Sequence, residues 1–149
     1  MPTRVLFVCT GNTCRSPMAE LYFNELCRRL GRDDLVAVSA GISAWPGGRI
    51  SRQAAAVLAG FGIDATGFRS RILTPELVGA SDLVVTMTAR HRDAIVSAVP
   101  EAAAKCRLLL PDGRDVPDPC GGSVDLYKQV FAVMKDALEF LAADLAGAC

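Results

Sequence analysis

The segment RVLFVCTGNTCRS, residues 4–16, places a short apolar run directly before a turn of small and polar residues. Residues 4–10 are mostly apolar or β-branched, which is typical of a strand buried on both faces of a parallel sheet. Gly11 ends this pattern, and Ser16 followed by Pro17 predicts the start of a helix with Ser16 as its N-cap residue. The segment therefore predicts a strand, a tight loop and a helix in succession.

The same alternation of strand and helix patterns continues along the chain. Further strands are predicted at residues 35–40, 82–87 and 106–110. Further helices are predicted at residues 51–59, 88–99 and 123–146, with a short helix opened by Thr74 and Pro75. Four strands that alternate with helices predict an α/β fold, with a four-stranded parallel sheet and helices on both of its faces.

The length and the loop positions indicate where a ligand would bind. A chain of 149 residues fits one domain, which we expect to span residues 1–149. Parallel sheets of this kind bind ligands beyond the carboxyl ends of their strands. The loops expected at that edge are residues 11–15, 41–48 and 111–122.

The composition disfavours several classes of partner. The chain has 16 Lys and Arg residues against 16 Asp and Glu residues, a balance that argues against a nucleic-acid or anionic-membrane binder. No apolar run approaches the roughly 18 residues that a membrane span requires. We therefore expect a cytoplasmic protein whose six cysteines are mostly reduced thiols.

The loop from Cys9 to Arg15 has the composition of a phosphate-binding loop. Backbone N–H groups of residues 10–15 can point into such a loop, and the following helix contributes its positive end. Gly11 and Asn12 are residue types that tolerate the positive φ angles of a tight curl. The planar guanidinium of Arg15 is suited to bidentate contact with two phosphoryl oxygens.

The same surroundings would make Cys9 a nucleophile. A thiol beside a helix N-terminus and an arginine is stabilised as the thiolate, and the hydroxyl of Ser16 can donate a hydrogen bond to it. The thiolate would attack phosphorus while the amides stabilise the charge on the oxygens. The alternative is an inert strand cysteine beside an ordinary helix cap. The position of the motif between a strand and a helix favours the chemical interpretation.

A second loop, DGRDVPDP at residues 112–119, contains aspartates that can supply a proton donor. Displacing a poor leaving group from phosphorus requires protonation of that group. Asp118 is the first candidate because the prolines on either side of it stiffen the loop. Asp115 is the second candidate, and a polar turn without a chemical role is the structural alternative.

The Cys9–Arg15–Ser16 motif near the N-terminus and Asp118–Pro119 near the C-terminus together resemble the low-molecular-weight protein tyrosine phosphatases. The likeness also covers SAG at residues 39–41 and SDLV at residues 81–84. It implies that Cys9 is the nucleophile, Arg15 the phosphate binder and Asp118 the general acid, which later activates water to hydrolyse phosphocysteine. The phosphate-binding residues would be Thr10, Gly11, Asn12, Thr13, Cys14 and Ser16.

The resemblance carries further expectations about the site. Asn12 and Ser39 would brace the loop by hydrogen bonds. The substrates would be phosphorylated proteins, and the reaction would need neither a metal nor an organic cofactor. We also expect an oxidant to convert Cys9 to a sulfenate and then to a disulfide with Cys14, unless Cys14 is only a small loop filler.

Within this family, TGNT at residues 10–13 and DVPDPCGGSVDLYKQ at residues 115–129 are most similar to the bacterial protein arginine phosphatases. Tyrosine-specific members commonly carry a larger aliphatic residue at the position of Thr13 and aromatic residues after the Asp-Pro pair. The resemblance thus implies phosphoarginine as the substrate, with a tyrosine phosphatase as the alternative. The chain departs from the arginine phosphatases at Cys120, where those enzymes carry an aromatic residue.

Two other functions are possible for a protein with such a loop, an arsenate reductase and a phosphocysteine carrier. An arsenate reductase of the same fold needs a relay pair of cysteines near mid-chain, but residues 60–105 contain none. A phosphocysteine carrier would not need Arg15 or a proton-donating aspartate.

His91, the only histidine, is expected on the surface of a helix, and Trp45 is a candidate to flank an aromatic substrate.

Overall fold

The computed structural model describes residues 2–146, so Cys149 lies outside the described residues. The strands are β1 (Thr3–Cys9), β2 (Leu35–Gly41), β3 (Leu83–Thr86) and β4 (Cys106–Leu108). The helices are α1 (Arg15–Arg29), α2 (Arg52–Ala59), α3 (Pro75–Gly79), α4 (Ala89–Ala98) and α5 (Val124–Ala146), with a 3-10 helix at Pro100–Lys105.

All strand pairs are parallel, and the strands lie side by side in the order β2-β1-β3-β4. The predicted α/β fold with a four-stranded parallel sheet is confirmed. The sheet separates two apolar clusters. Phe7 of β1 packs into the larger cluster with residues of α1, α2 and α5, whereas Leu6 faces the smaller cluster with residues of α3 and α4. Complete burial of such a side chain stabilises the fold by about 1.5–3 kcal/mol.

Helix α5 closes the larger face of the sheet through a wider apolar surface than the sequence indicates. The sequence spacing in this segment predicts one apolar stripe, formed by Leu126, Val130, Met134, Leu138, Leu141 and Leu145. In the structure Leu126 of this stripe remains 39% exposed. Tyr127 and Phe131 are buried as well, and the ring of Phe131 meets that of Tyr22 edge-on at 5.2 Å. Neither α5 nor any other helix within residues 2–146 is long and apolar enough to cross a membrane.

The start of helix α1 differs from the prediction. Ser16 is not the N-cap residue: the helix begins at Arg15, and Cys14 precedes it without a side-chain cap. The hydroxyl of Ser16 is instead directed at Cys9 and Asn12, as described below. Strand β4 is also shorter than predicted, since it ends at Leu108.

Candidate active site

The loop between β1 and α1 lies at the carboxyl edge of the sheet, beside the chain that leaves β2. Asn12 is buried and has a φ of 56°, whereas Gly11 does not use the left-handed region. The close approach of the two loops requires Gly41 at the end of β2. A Cβ atom at Gly41 would lie 2.6 Å from the Thr10 carbonyl oxygen and 2.8 Å from the Asn12 nitrogen.

The thiol of Cys9 is buried at the base of this loop. Its Sγ lies 2.8 Å from Ser16 Oγ, and it accepts a hydrogen bond from the Asn12 amide at 3.3 Å. Within residues 2–146, no backbone carbonyl accepts the amides of Gly11, Thr13 or Cys14. These amides and the N-terminus of α1 are therefore available to an anion above the thiol.

The side chain of Asn12 links the loop to three other segments. Its Nδ2 donates to Ser16 Oγ at 2.8 Å and to Ser39 Oγ at 2.9 Å. Its Oδ1 accepts the Arg71 amide at 2.8 Å. The Ser39 hydroxyl in turn donates to the Glu20 carboxylate at 2.7 Å, where burial raises the pKa of Glu20. Asn12 and Ser39 thus both participate in the hydrogen-bond network around the loop.

Arg15 connects the loop to the segment that follows β4. The guanidinium is only 4% exposed and donates to the Val116 carbonyl at 2.9 Å. One of its nitrogens lies 3.7 Å from a carboxylate oxygen of Asp118, whose side chain is 54% exposed. Asp118 therefore faces solvent at the entrance of the loop, with one oxygen accepting the Cys120 amide at 3.0 Å.

Asp115, the second candidate for the proton donor, has a different environment. Its carboxylate accepts the Ala89 amide at 2.8 Å, at the first residue of α4. A carboxylate at a helix N-terminus is stabilised by the unpaired amides there. The geometry therefore gives Asp115 a structural contact and leaves Asp118 nearer the guanidinium of Arg15.

The expectation that His91 lies on the surface is wrong. The residue is 5% exposed, and its Nε2 lies 2.9 Å from Thr10 Oγ1 at the start of the loop. Burial, followed by the charge of Arg15, lowers the pKa of His91 to about 4. Sequence periodicity gave no sign of this contact, because it joins α4 to a loop far away in the chain.

A second unpredicted neighbour of the loop is Tyr127 on α5. Its hydroxyl lies 3.1 Å from Cys14 Sγ, and Thr13 Oγ1 lies 3.6 Å from the same sulfur. The carbonyl of Thr13 accepts the Ser51 amide at 2.9 Å, which fixes this side of the loop to the start of α2. Trp45 is 85% exposed on the neighbouring loop.

The family model described as low molecular weight phosphotyrosine protein phosphatase matches residues 4–148. The chain belongs to this family. It is accordingly a cysteine-dependent protein phosphatase, and phosphorylated proteins are its class of substrate.

Two similar proteins and one solved structure illustrate the range of the family. The protein-arginine-phosphatase of Bacillus subtilis is 40% identical over 95% of both chains. The low molecular weight protein-tyrosine phosphatase A of Mycobacterium tuberculosis is 38% identical over 92% of this chain and 88% of its own length. A structure of the YwlE arginine phosphatase, a cysteine-to-serine mutant with a phosphorylated active site serine, superposes with a TM-score of 0.91. It is 37% identical and covers 97% of this chain and 96% of its own.

Proposed function

We propose that the chain removes phosphate from phosphoarginine in proteins, with Cys9 as the nucleophile, Arg15 as the phosphate binder and Asp118 as the general acid. The observation that carries the proposal is the position of the Cys9 thiol beneath the unpaired amides of its loop. Arg15 adds a buried guanidinium at the same entrance. A phosphoryl group bound there would lie directly in line for attack by sulfur.

The first half-reaction breaks the bond between phosphorus and the leaving group. The Cys9 thiolate attacks phosphorus, and Asp118 in its acid form gives a proton to the departing guanidine nitrogen. The hydroxyl of Ser16 and the Asn12 amide, which both contact Sγ, stabilise the attacking thiolate before the bond to phosphorus forms. The products of this step are free arginine side chain and phosphocysteine.

The second half-reaction returns the enzyme to its starting state. The Asp118 carboxylate accepts a proton from water, and the resulting oxygen nucleophile attacks the phosphorus of phosphocysteine. Phosphate leaves, and the thiolate of Cys9 is regenerated at the end of the strand. The partly exposed position of Asp118 supports this role, since both the leaving group and the water must reach it.

The preference for phosphoarginine rests on Thr13 and on the residues after Asp118. The Thr13 hydroxyl adds a polar group to the wall of the loop that an aliphatic residue would lack, and a guanidinium rich in N–H groups can satisfy it. The carboxyl group of Asp118 can also hydrogen-bond to the substrate guanidinium. Pro119 is followed by Cys120 and two glycines, so this segment offers no aromatic ring for stacking.

A covalent intermediate on Cys9 is the feature that a direct experiment can test. Enzyme mixed with phosphoarginine protein and quenched in acid within one turnover should carry one phosphate on Cys9. Cys9→Ser should lose steady-state turnover, because an alcohol is not ionised near neutral pH. Hydrolysis by Cys9→Ser at the wild-type rate would contradict the proposed nucleophile.

We also propose that the protein acts in the cytoplasm, where free cysteines such as those of this chain stay reduced.

A further inference from the structure

His91 on α4 makes a buried contact with the start of the phosphate-binding loop, and the mechanism above does not use it. The histidine is 5% exposed, and its Nε2 lies 2.9 Å from Oγ1 of Thr10. Thr10 directly follows Cys9 and is itself exposed to solvent. The contact therefore joins a distant helix to the first loop residue after the nucleophile.

The first turn of α4 holds His91 in this position. The hydroxyl of Thr88, the residue before the helix, accepts the His91 amide at 3.1 Å. The carboxylate of Asp115 accepts the amide of Ala89 at 2.8 Å. Both bonds satisfy amides that have no partner inside the helix. The His91 ring is therefore carried on a capped helix end instead of a free loop.

The second ring nitrogen of His91 indicates which nitrogen carries the hydrogen. Within residues 2–146, Nδ1 is buried and has no hydrogen-bond partner. Burial, followed by the charge of Arg15, lowers the pKa of the ring to about 4, so that near neutral pH the ring is uncharged and has one N–H group. A buried N–H group without a partner is less favourable than a bare lone pair. The hydrogen therefore lies on Nε2, which donates it to Thr10 Oγ1.

Thr10 is then held by its side chain and by its backbone. Its carbonyl accepts the Ser43 amide at 2.9 Å, on the loop that follows β2. In a trans peptide the N–H group of the next residue points away from the carbonyl, so the same bond also orients the Gly11 amide. The Gly11 amide is one of those left free for an anion. The contact with His91 thus fixes the residue from which the first anion-binding amide projects.

We propose that His91 is a positioning residue for the phosphate-binding loop and that it acts by donating its Nε2 hydrogen to Thr10 Oγ1. Because this oxygen accepts from His91, the hydroxyl hydrogen of Thr10 is not used in the contact and can be donated to a phosphoryl oxygen. The inference rests on the proposed role of the loop in phosphate binding, and it adds the pair of His91 and Thr10 to the groups that determine phosphate affinity.

Nuclear magnetic resonance can observe this ring directly, because His91 is the only histidine and an untagged, isotope-labelled protein gives one set of histidine signals. Near neutral pH we expect an uncharged ring with its hydrogen on Nε2 and a bare Nδ1. Titration with inorganic phosphate should shift the ring signals to saturation, with a dissociation constant equal to the inhibition constant of phosphate. A hydrogen on Nδ1 would overturn the proposal, as would ring signals that do not respond to saturating phosphate.

Two substitutions of His91 measure its effect on phosphate affinity, through inhibition by inorganic phosphate of the hydrolysis of an activated aryl phosphate. His91→Phe keeps a ring without a donor and should raise the inhibition constant about 3–10-fold, the equivalent of one ordinary hydrogen bond. His91→Gln is the matched control, because its amide can still donate to Thr10, and its inhibition constant should stay close to that of wild type. An unchanged constant in His91→Phe, even with a lower free energy of unfolding, or equal increases in both variants would overturn the proposal.

Thr10 gives a second test that holds even if His91→Phe does not fold. Thr10→Val removes the hydroxyl and should raise the inhibition constant at least as much as His91→Phe, whereas Thr10→Ser should keep the affinity for phosphate. Since both residues act through one contact, the double variant should show less than the product of the two single effects. Wild-type affinity in Thr10→Val would overturn the proposal. A wild-type enzyme that phosphate does not inhibit would instead overturn the phosphate-binding role of the loop, and this inference with it.

Discussion

The guanidinium of Arg15 lies 3.7 Å from the carboxylate of Asp118, so the first helix and the segment after the last strand meet above Cys9. Arg15 is also held by the Val116 carbonyl at 2.9 Å. One terminal nitrogen of the guanidinium is thus used by the hydrogen bond to Val116, whereas the nitrogen near Asp118 faces the entrance. An arriving phosphoryl group can bind that end and leave the exposed carboxyl group of Asp118 facing its leaving group.

Asp118→Asn should slow turnover most for substrates with poor leaving groups, because the amide cannot protonate them. We expect kcat on phosphoarginine peptides to fall by about 10²–10⁴-fold, the usual contribution of a general acid. The rate of phosphocysteine formation from an activated aryl phosphate should fall much less. The matched control is Asp115→Asn, whose amide oxygen can still accept the Ala89 amide. An inactive Asp115→Asn beside a nearly normal Asp118→Asn would reverse the assignment.

Gly41→Ala should damage the loop without touching any ionisable group. The added methyl would lie 2.6 Å from the Thr10 carbonyl oxygen, which is rigid backbone and must shift. We expect an increase of at least tenfold in the inhibition constant for phosphate and a loss of stability of about 1–3 kcal/mol. Gly67→Ala is the control, since nothing lies within 4 Å of its new Cβ. Equal phosphate affinity in both variants would contradict the close approach at Gly41.

Asn12 has a left-handed backbone, and its side chain donates hydrogen bonds to Ser16 and Ser39. Two substitutions separate these two roles. Asn12→Gly keeps the φ of 56° accessible but removes the hydrogen bonds to Ser16, Ser39 and Arg71. Asn12→Ala loses the same bonds and adds a backbone cost of about 1–2 kcal/mol. Urea unfolding should therefore rank wild type above Asn12→Gly and Asn12→Gly above Asn12→Ala. Equal stability of the two variants would mean that the loop relaxes to another backbone.

The sequence predicts those parts of the site that lie close together along the chain. The span from Cys9 to Arg15 carries its own signature, and the prolines flanking Asp118 mark the second loop. What it does not reveal are contacts between distant segments. The burial of His91 against Thr10 and the position of Tyr127 beside Cys14 depend on how α4 and α5 pack. For Ser16 the predicted contact with the Cys9 thiol is present at 2.8 Å, whereas the predicted N-cap role is not, because Cys14 precedes the helix instead.

The buried His91 should make stability depend on pH. Its pKa is about 4 in the folded protein and 6.5 when unperturbed, so between these values only the unfolded chain binds the proton. Stability from this group is thus complete above about pH 6.5 and is lost as the pH falls towards 4. The difference amounts to about 3 kcal/mol. Urea unfolding from pH 4.5 to 7.5 should show this slope in wild type and a reduced slope in His91→Gln. Identical slopes would contradict the burial of a neutral ring.

Thr13→Ile should shift the preference of the enzyme from phosphoarginine towards phosphotyrosine. A phenyl ring offers the Thr13 hydroxyl no polar group, at a cost of roughly 1–3 kcal/mol, whereas a phosphoguanidinium can hydrogen-bond to it. Replacing the hydroxyl by apolar bulk should move the ratio of kcat/KM values by about one to two decades. Equal losses on both substrates would mean that Thr13, whose carbonyl binds the Ser51 amide, only supports the shape of the loop.

The most direct test of the proposed function compares wild-type kcat/KM values on two peptides of identical sequence, one with phosphoarginine and one with phosphotyrosine. Both substrates would use the same thiol, Cys9, and the same phosphate-binding loop, so the ratio reports how the walls of the entrance and Asp118 treat the two leaving groups. The polar Thr13 and the absence of an aromatic ring directly after Pro119 predict faster hydrolysis of phosphoarginine. Faster hydrolysis of the phosphotyrosine peptide would contradict the arginine assignment and leave the family's tyrosine phosphatase activity in its place.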